Sequence, residues 1–139
     1  MIEPVMPGKP SSETTVLIID DEPSVARAAS RLLRSIGFDV LVATGRQEAV
    51  EICQARGDEI DVVLLDVVLS ETNSKETLQQ IRALCPAIKV ILTSGYGKAE
   101  SAGDFAGIQL DGFVPKPFGC RELETAVRAA LARPPSAAE

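Results

Sequence analysis

Five short apolar runs punctuate the chain: Val16 to Ile19, Val40 to Ala43, Val62 to Leu65, Val90 to Leu92, and Phe113 with Val114. They are nearly continuous and rich in β-branched residues, which predicts strands buried on both faces of a parallel sheet. The runs recur at intervals of about 22 to 27 residues, room each time for one helix and two loops, and that is the rhythm of βα units.

The stretches between them carry helical spacing. Val25, Ala28, Ala29, Leu32, Leu33 and Ile36 form one apolar stripe, and Ala49, Val50, Ile52 and Cys53 a second. Thr77, Leu78, Ile81 and Leu84 form a third, closed by Pro86, and Leu123, Val127, Ala130 and Leu131 a last one, stopped by Pro134 and Pro135. A fourth helix in chain order, Lys98 to Ala106, is weak because Gly95, Gly97, Gly103 and Gly107 flank it. The punctuation agrees: Pro23 opens a first turn, Thr44 and Gln47 have capping-box spacing, and Gly37 and Gly57 stand where helices must stop. These elements predict an open, doubly wound α/β sheet of five parallel strands with five helices. Residues 1–15, with three prolines and no periodicity, read as a flexible arm, and residues 134–139 as a short tail, leaving 16–133 as the folded domain.

At 139 residues the chain is one domain, and its 45% apolar content supplies a core without disulfides or a structural metal. Cys53, Cys85 and Cys120 form no CxxC pair and follow no apolar leader, so a reducing cytoplasm is the expected compartment and small core or boundary positions their expected role. No apolar run is long enough to span a membrane. Fourteen basic against twenty acidic residues give a net charge of −6, which disfavours direct binding to nucleic acid. With no histidine in the chain, the commonest general base and zinc ligand are missing, and any chemistry falls to carboxylates, Lys, Ser, Thr or Cys.

Ligands of doubly wound sheets bind beyond the carboxyl ends of the strands. The residues placed there are Asp20, Asp21 and Glu22 after the first strand, Asp66 after the third, Thr93 and Ser94 after the fourth, and Lys116 after the fifth. Clustered carboxylates repel one another unless a cation sits among them, and an all-oxygen donor set suits a hard ion such as Mg²⁺. No GxGxxG or GxxxxGK[ST] cradle follows the first strand. A metal ion and Lys116 can instead neutralise a phosphoryl group while Thr93 donates a hydrogen bond and a carboxylate attacks. Asp66 is the best-placed nucleophile, because it ends the strand expected at the centre of the sheet. Taken singly, Asp20 and Asp21 could cap a helix and Asp66 could close a turn; their joint placement with Thr93 and Lys116 argues for a site. Ser94 reads as a small residue leaving access, and Glu22 as a helix-start charge.

The segments VLIIDDEP, VVLLDVVLS, VILTSGY and FVPKPF, in this order and at compatible spacing, resemble the receiver domain of two-component response regulators over roughly residues 15–132. The resemblance implies a flavodoxin-like fold. It implies that Asp66 accepts a phosphoryl group from a phosphohistidine on a histidine kinase or histidine phosphotransfer domain, with slow self-catalysed dephosphorylation. Asp21, Asp66 and the Val68 carbonyl would bind Mg²⁺, with Asp20 reaching it through water. Thr93 and Lys116 would hold the phosphoryl oxygens, the Lys116–Pro117 peptide would be cis, and Thr93 with Phe113 would form the switch. The output would be a protein partner or a fused kinase, with a homodimer on phosphorylation also within the family's range.

Two positions depart from the pattern: Ser70 and Ser74 stand where the family usually has Pro and Gly, which predicts an unusual path for the loop after the third strand. Two other readings compete. An aspartate-nucleophile phosphohydrolase also uses an acidic Mg²⁺ site, but it places its nucleophile after the first strand in a DxD pattern and adds a cap domain. A pseudo-receiver would bind without being phosphorylated, which the presence of Asp21, Asp66, Thr93 and Lys116 together argues against. Eight residues follow Leu131, so the chain reads as a single-domain regulator or as a receiver from a larger protein such as a hybrid sensor kinase, whose receivers often carry a TSGYG-like stretch.

Overall fold

The computed structural model describes residues 14–67, 74–95 and 110–133. Five strands, β1 (Thr15–Ile19), β2 (Asp39–Ala43), β3 (Val62–Asp66), β4 (Lys89–Ser94) and β5 (Gly112–Pro115), form one parallel sheet in the order β2-β1-β3-β4-β5. Each contains its apolar run and extends it by a residue or more. Four α-helices lie among the described residues: α1 (Pro23–Ile36), α2 (Arg46–Arg56), α3 (Ser74–Leu84) and α4 (Cys120–Ala132). The helix expected at Lys98 to Ala106 lies outside the described residues.

Alternate side chains along the strands feed two separate cores. Leu17, Ile19, Val63, Leu65, Val90 and Leu92 pack with Ala49 and Cys53 of α2 and Leu78 and Ile81 of α3. Val16, Ile18, Val62, Leu64, Ile91 and Val114 pack with Ala26, Ala29 and Leu33 of α1 and Leu123, Val127 and Ala130 of α4. Helices on both faces therefore explain why the strands are apolar at successive positions instead of alternating.

The helix ends show which punctuation matters. Pro23 is in the first turn of α1, and Gly37 closes that helix at φ 113°, a left-handed conformation that glycine adopts without a Cβ penalty. Gly57 differs: its φ is −56°, it opens a short 3-10 turn, and a Cβ there would lie 2.7 Å from the Cys85 sulfur. Close approach, not a left-handed turn, is what this glycine provides. Thr44 bonds Glu48 through both its N–H (2.8 Å) and its hydroxyl (3.0 Å), while Gln47 reaches Glu51. The capping-box reading thus fails by one residue.

Three expected faces also shift. In α1 the buried residues are Ala26, Ala29 and Leu33, and Ala28 is exposed. At the end of α3, Leu84 is 42% exposed and Cys85 is buried in its place. At the amino end, Thr14 and Thr15 are buried and belong to the folded unit, not to an arm ending at residue 15. The Thr14 carbonyl accepts from Asp39 N–H at 2.8 Å, and Thr15 N–H donates to the Asp61 carboxylate at 3.0 Å.

Candidate functional site

Asp20 follows β1 directly, anchored by its N–H on the Ala43 carbonyl at 3.1 Å. One oxygen of its carboxylate accepts the Glu22 N–H at 2.9 Å, a local turn that aims the group at the sheet edge. Glu22 itself is the exposed residue before α1 and makes no side-chain cap. Asp66 is the last residue of β3, the middle strand, and is buried at 5% exposure; Asp20 is buried at 2%. Asp21 is half-buried, and one carboxylate oxygen from each of Asp20, Asp21 and Asp66 lies within 4.8 Å of the others. Strand order brings together what the sequence separates by some 45 residues.

Lys116 supplies the counter-charge. Its Nζ lies 3.1 Å from Asp20 Oδ2 and 3.2 Å from Asp66 Oδ2. Burial works against its charge, but the hydrogen bond to Asp20 and the charges of Asp66 and Asp20 outweigh it, so the lysine pKa stands above its ordinary value. Its backbone N–H donates to the Ser94 carbonyl at 2.8 Å, so Ser94 contributes through its main chain, a role that its side chain does not advertise. The Lys116–Pro117 peptide is cis.

Thr93 sits on β4 as the register partner of Asp66. It is buried at 2% exposure, and among the described residues its hydroxyl has no hydrogen-bond partner. Buried polar groups are almost always paired, so an orphaned hydroxyl beside an acidic cluster calls for an explanation. Phe113, on β5 opposite Leu92, is half-buried against the core shared with α2 and α3. Ser74, flagged in the sequence only as a departure, begins α3, is buried, and donates its hydroxyl to the Asp66 carbonyl at 2.8 Å. Val68 and Ser70 lie outside the described residues.

The three carboxylates gather negative charge, with the Lys116 ammonium beside two of them, and their oxygens form a hard donor set. Both features suit Mg²⁺. An apolar groove of about 480 Å³, lined by Ser24, Val25, Ala28, Gly95, Pro117 and Phe118, opens beside Lys116. A larger cavity of about 810 Å³ lies near Cys53, Ile60, Cys85 and Lys89, at the opposite, amino-terminal edge of the sheet, and contains none of these groups. There burial, with Cys85 adjacent, pushes the Cys53 thiol up to about 12, which keeps it protonated and unreactive at neutral pH. Cys120 is exposed. Among the described residues no helix is long and apolar enough to cross a membrane.

A doubly wound sheet carries an acidic cluster, a hydroxyl and a lysine at its carboxyl edge, and comparison with known proteins gives its family. Residues 16–128 match the model of the response regulator receiver domain, and the chain belongs to that family. Over 121 residues it is 37% identical to the sensor kinase CckA of Brucella abortus, covering 87% of this chain and 13% of that protein. Over 120 residues it is 32% identical to the transcriptional regulatory protein CpxR of Escherichia coli K12, covering 85% of this chain and 49% of that protein. The chain thus spans half or less of these relatives. Among solved structures, a response regulator receiver domain protein of Clostridium thermocellum superposes with a TM-score of 0.77 at 26% identity, covering 85% of this chain and 94% of that one. A response regulator of Thermotoga maritima gives 0.76 at 26% identity, covering 86% and 98%.

Proposed function

We propose that this receiver domain is a phosphoacceptor switch of two-component signal transduction, with Asp66 as the acceptor and a phosphohistidine on a histidine kinase or histidine phosphotransfer domain as the donor. The observation that carries this reading is the setting of Asp66. Its carboxylate ends the central strand 3.2 Å from the Lys116 ammonium, across the ladder from a buried hydroxyl without a hydrogen-bond partner among the described residues.

In the transfer, a carboxylate oxygen of Asp66 attacks phosphorus and the P–N bond of the donor breaks. Its electron pair returns to the imidazole nitrogen, leaving an acyl phosphate on the aspartate. Lys116, kept charged by its two carboxylate neighbours, offers that charge to the phosphoryl oxygens. The Thr93 hydroxyl donates a hydrogen bond to one of them, which gives the orphaned group a partner in the phosphorylated state. Asp20, Asp21 and Asp66 would hold Mg²⁺, which when bound neutralises phosphoryl charge. Movement of Thr93 vacates space that the ring of Phe113 can fill, and this changes the surface offered to a protein partner or a fused kinase. Phe113 has no hydroxyl, so apolar burial alone favours its inward position. The relative that is a sensor kinase supports a receiver within or beside a kinase, and the transcriptional regulator supports a separate output.

Incubation with acetyl phosphate and Mg²⁺, read by intact mass, tests the proposal. One acid-labile phosphoryl group is expected on the parent and none on Asp66→Asn, because an amide is not a comparable nucleophile. Equal labelling of the two proteins would overturn it.

A further inference from the structure

The peptide unit that follows Asp66 is held at both of its polar ends. Its carbonyl oxygen, that of Asp66, accepts the 2.8 Å hydrogen bond from Ser74 Oγ. Its N–H, that of Val67, donates to the Thr93 carbonyl at 2.9 Å. A peptide unit is planar, so fixing both ends fixes its orientation and, with it, the Cα from which the acceptor carboxylate projects. The two anchors come from different elements, Ser74 from the start of α3 and Thr93 from β4.

The Ser74 hydroxyl adds a side-chain anchor at the point where the sheet's own pairing with β1 ends. The β1–β3 ladder ends at Ile19 and Leu65, so the Asp66 carbonyl lies one residue past its last rung. Losing a buried hydrogen bond to a main-chain carbonyl is costly. Ser74 is itself 4% exposed, and solvent does not readily take over its role.

We infer that Ser74 is a positioning residue for phosphoryl transfer, holding the Asp66 peptide so that the acceptor carboxylate keeps its place beside Lys116 and Thr93. It acts through the main chain of Asp66 and touches no phosphoryl oxygen. The inference rests on the reading of Asp66 as the acceptor.

The test is the rate of labelling by acetyl phosphate at saturating Mg²⁺, measured against donor concentration, well below each variant's unfolding midpoint. Ser74→Ala and Ser74→Val should lower the maximal rate about fivefold to tenfold, the effect of losing one hydrogen bond that holds reacting geometry. The donor concentration at half-maximal rate should not move, because donor contacts are intact. Ser74→Thr should restore the rate, and since Thr and Val are nearly identical in shape, the hydroxyl is the variable between them. That pair decides the matter even where Ser74→Ala does not fold. Equal maximal rates for the folded Thr and Val variants would overturn the inference, as would a loss seen only in thermal stability. Absence of label on the parent protein would instead overturn the acceptor reading, and the inference with it.

Discussion

Asp66 and Thr93 are register partners across the β3–β4 ladder, and among the described residues the buried Thr93 hydroxyl has no hydrogen-bond partner. Folding gains nothing from such a group; leaving it unpaired costs about 1–3 kcal/mol. Replacement by a residue of the same shape without the hydroxyl should therefore relieve the folded state. Thr93→Val is expected to raise the unfolding free energy by about 1 kcal/mol, read from urea midpoints at constant slope. It should also lose the phosphorylation-dependent change in amide exchange. A variant less stable than the parent by a similar amount would show that the hydroxyl has a partner in the resting protein.

The acidic cluster gives a second expectation. One oxygen each of Asp20, Asp21 and Asp66 lies within 4.8 Å of the other two, and Lys116 bridges Asp20 and Asp66. Mg²⁺ binding to the folded state at ten times its Kd should stabilise the parent by about 1.4 kcal/mol. Asp21→Asn removes one of three ligand charges, so at the same Mg²⁺ concentration its urea midpoint should shift much less, while unfolding in metal-free buffer stays cooperative. An undiminished shift in the variant would remove Asp21 from the metal site.

What could be read from the sequence follows the physics of each feature. Doubly buried strands write themselves as β-branched runs, so all five strands and the residues after them, Asp20, Asp21, Asp66, Thr93 and Lys116, could be placed by counting. Helix faces were harder. Alanines carry little hydropathic contrast, so the choice between Ala26 and Ala28 was made by the sheet against which α1 packs. Leu84 turns outward while Cys85 is buried, as expected of a small core or boundary residue, with its sulfur against the bare Cα of Gly57, a contact between elements that no periodicity records. Ser74 shows the same limit at the site: its hydroxyl is visible in the sequence, but its partner is a main-chain carbonyl eight residues earlier, positioned only by the sheet.

The bridging ammonium of Lys116 makes the third expectation one of pH. Burial opposes its charge, but the hydrogen bond to Asp20 and the charges of Asp66 and Asp20 raise its pKa above the ordinary 10.5. The folded protein therefore holds this proton more tightly than the unfolded chain does. By linkage, the contribution to stability is present in full below the unfolded value and is lost as pH rises through the higher folded one. Lys116→Met cannot carry the charge and takes this shared counter-charge from Asp20 and Asp66, so it should be less stable than the parent at neutral pH. The gap between their urea midpoints should stay constant up to about pH 10, near the lysine reference, and narrow above it. Every other residue is common to both proteins, so the rest of the pH dependence cancels to first order in the difference. Mg²⁺ neutralises the same carboxylates, so adding it at neutral pH should also narrow the gap. A gap that ignores both alkaline pH and Mg²⁺ would show that Lys116 contributes packing alone.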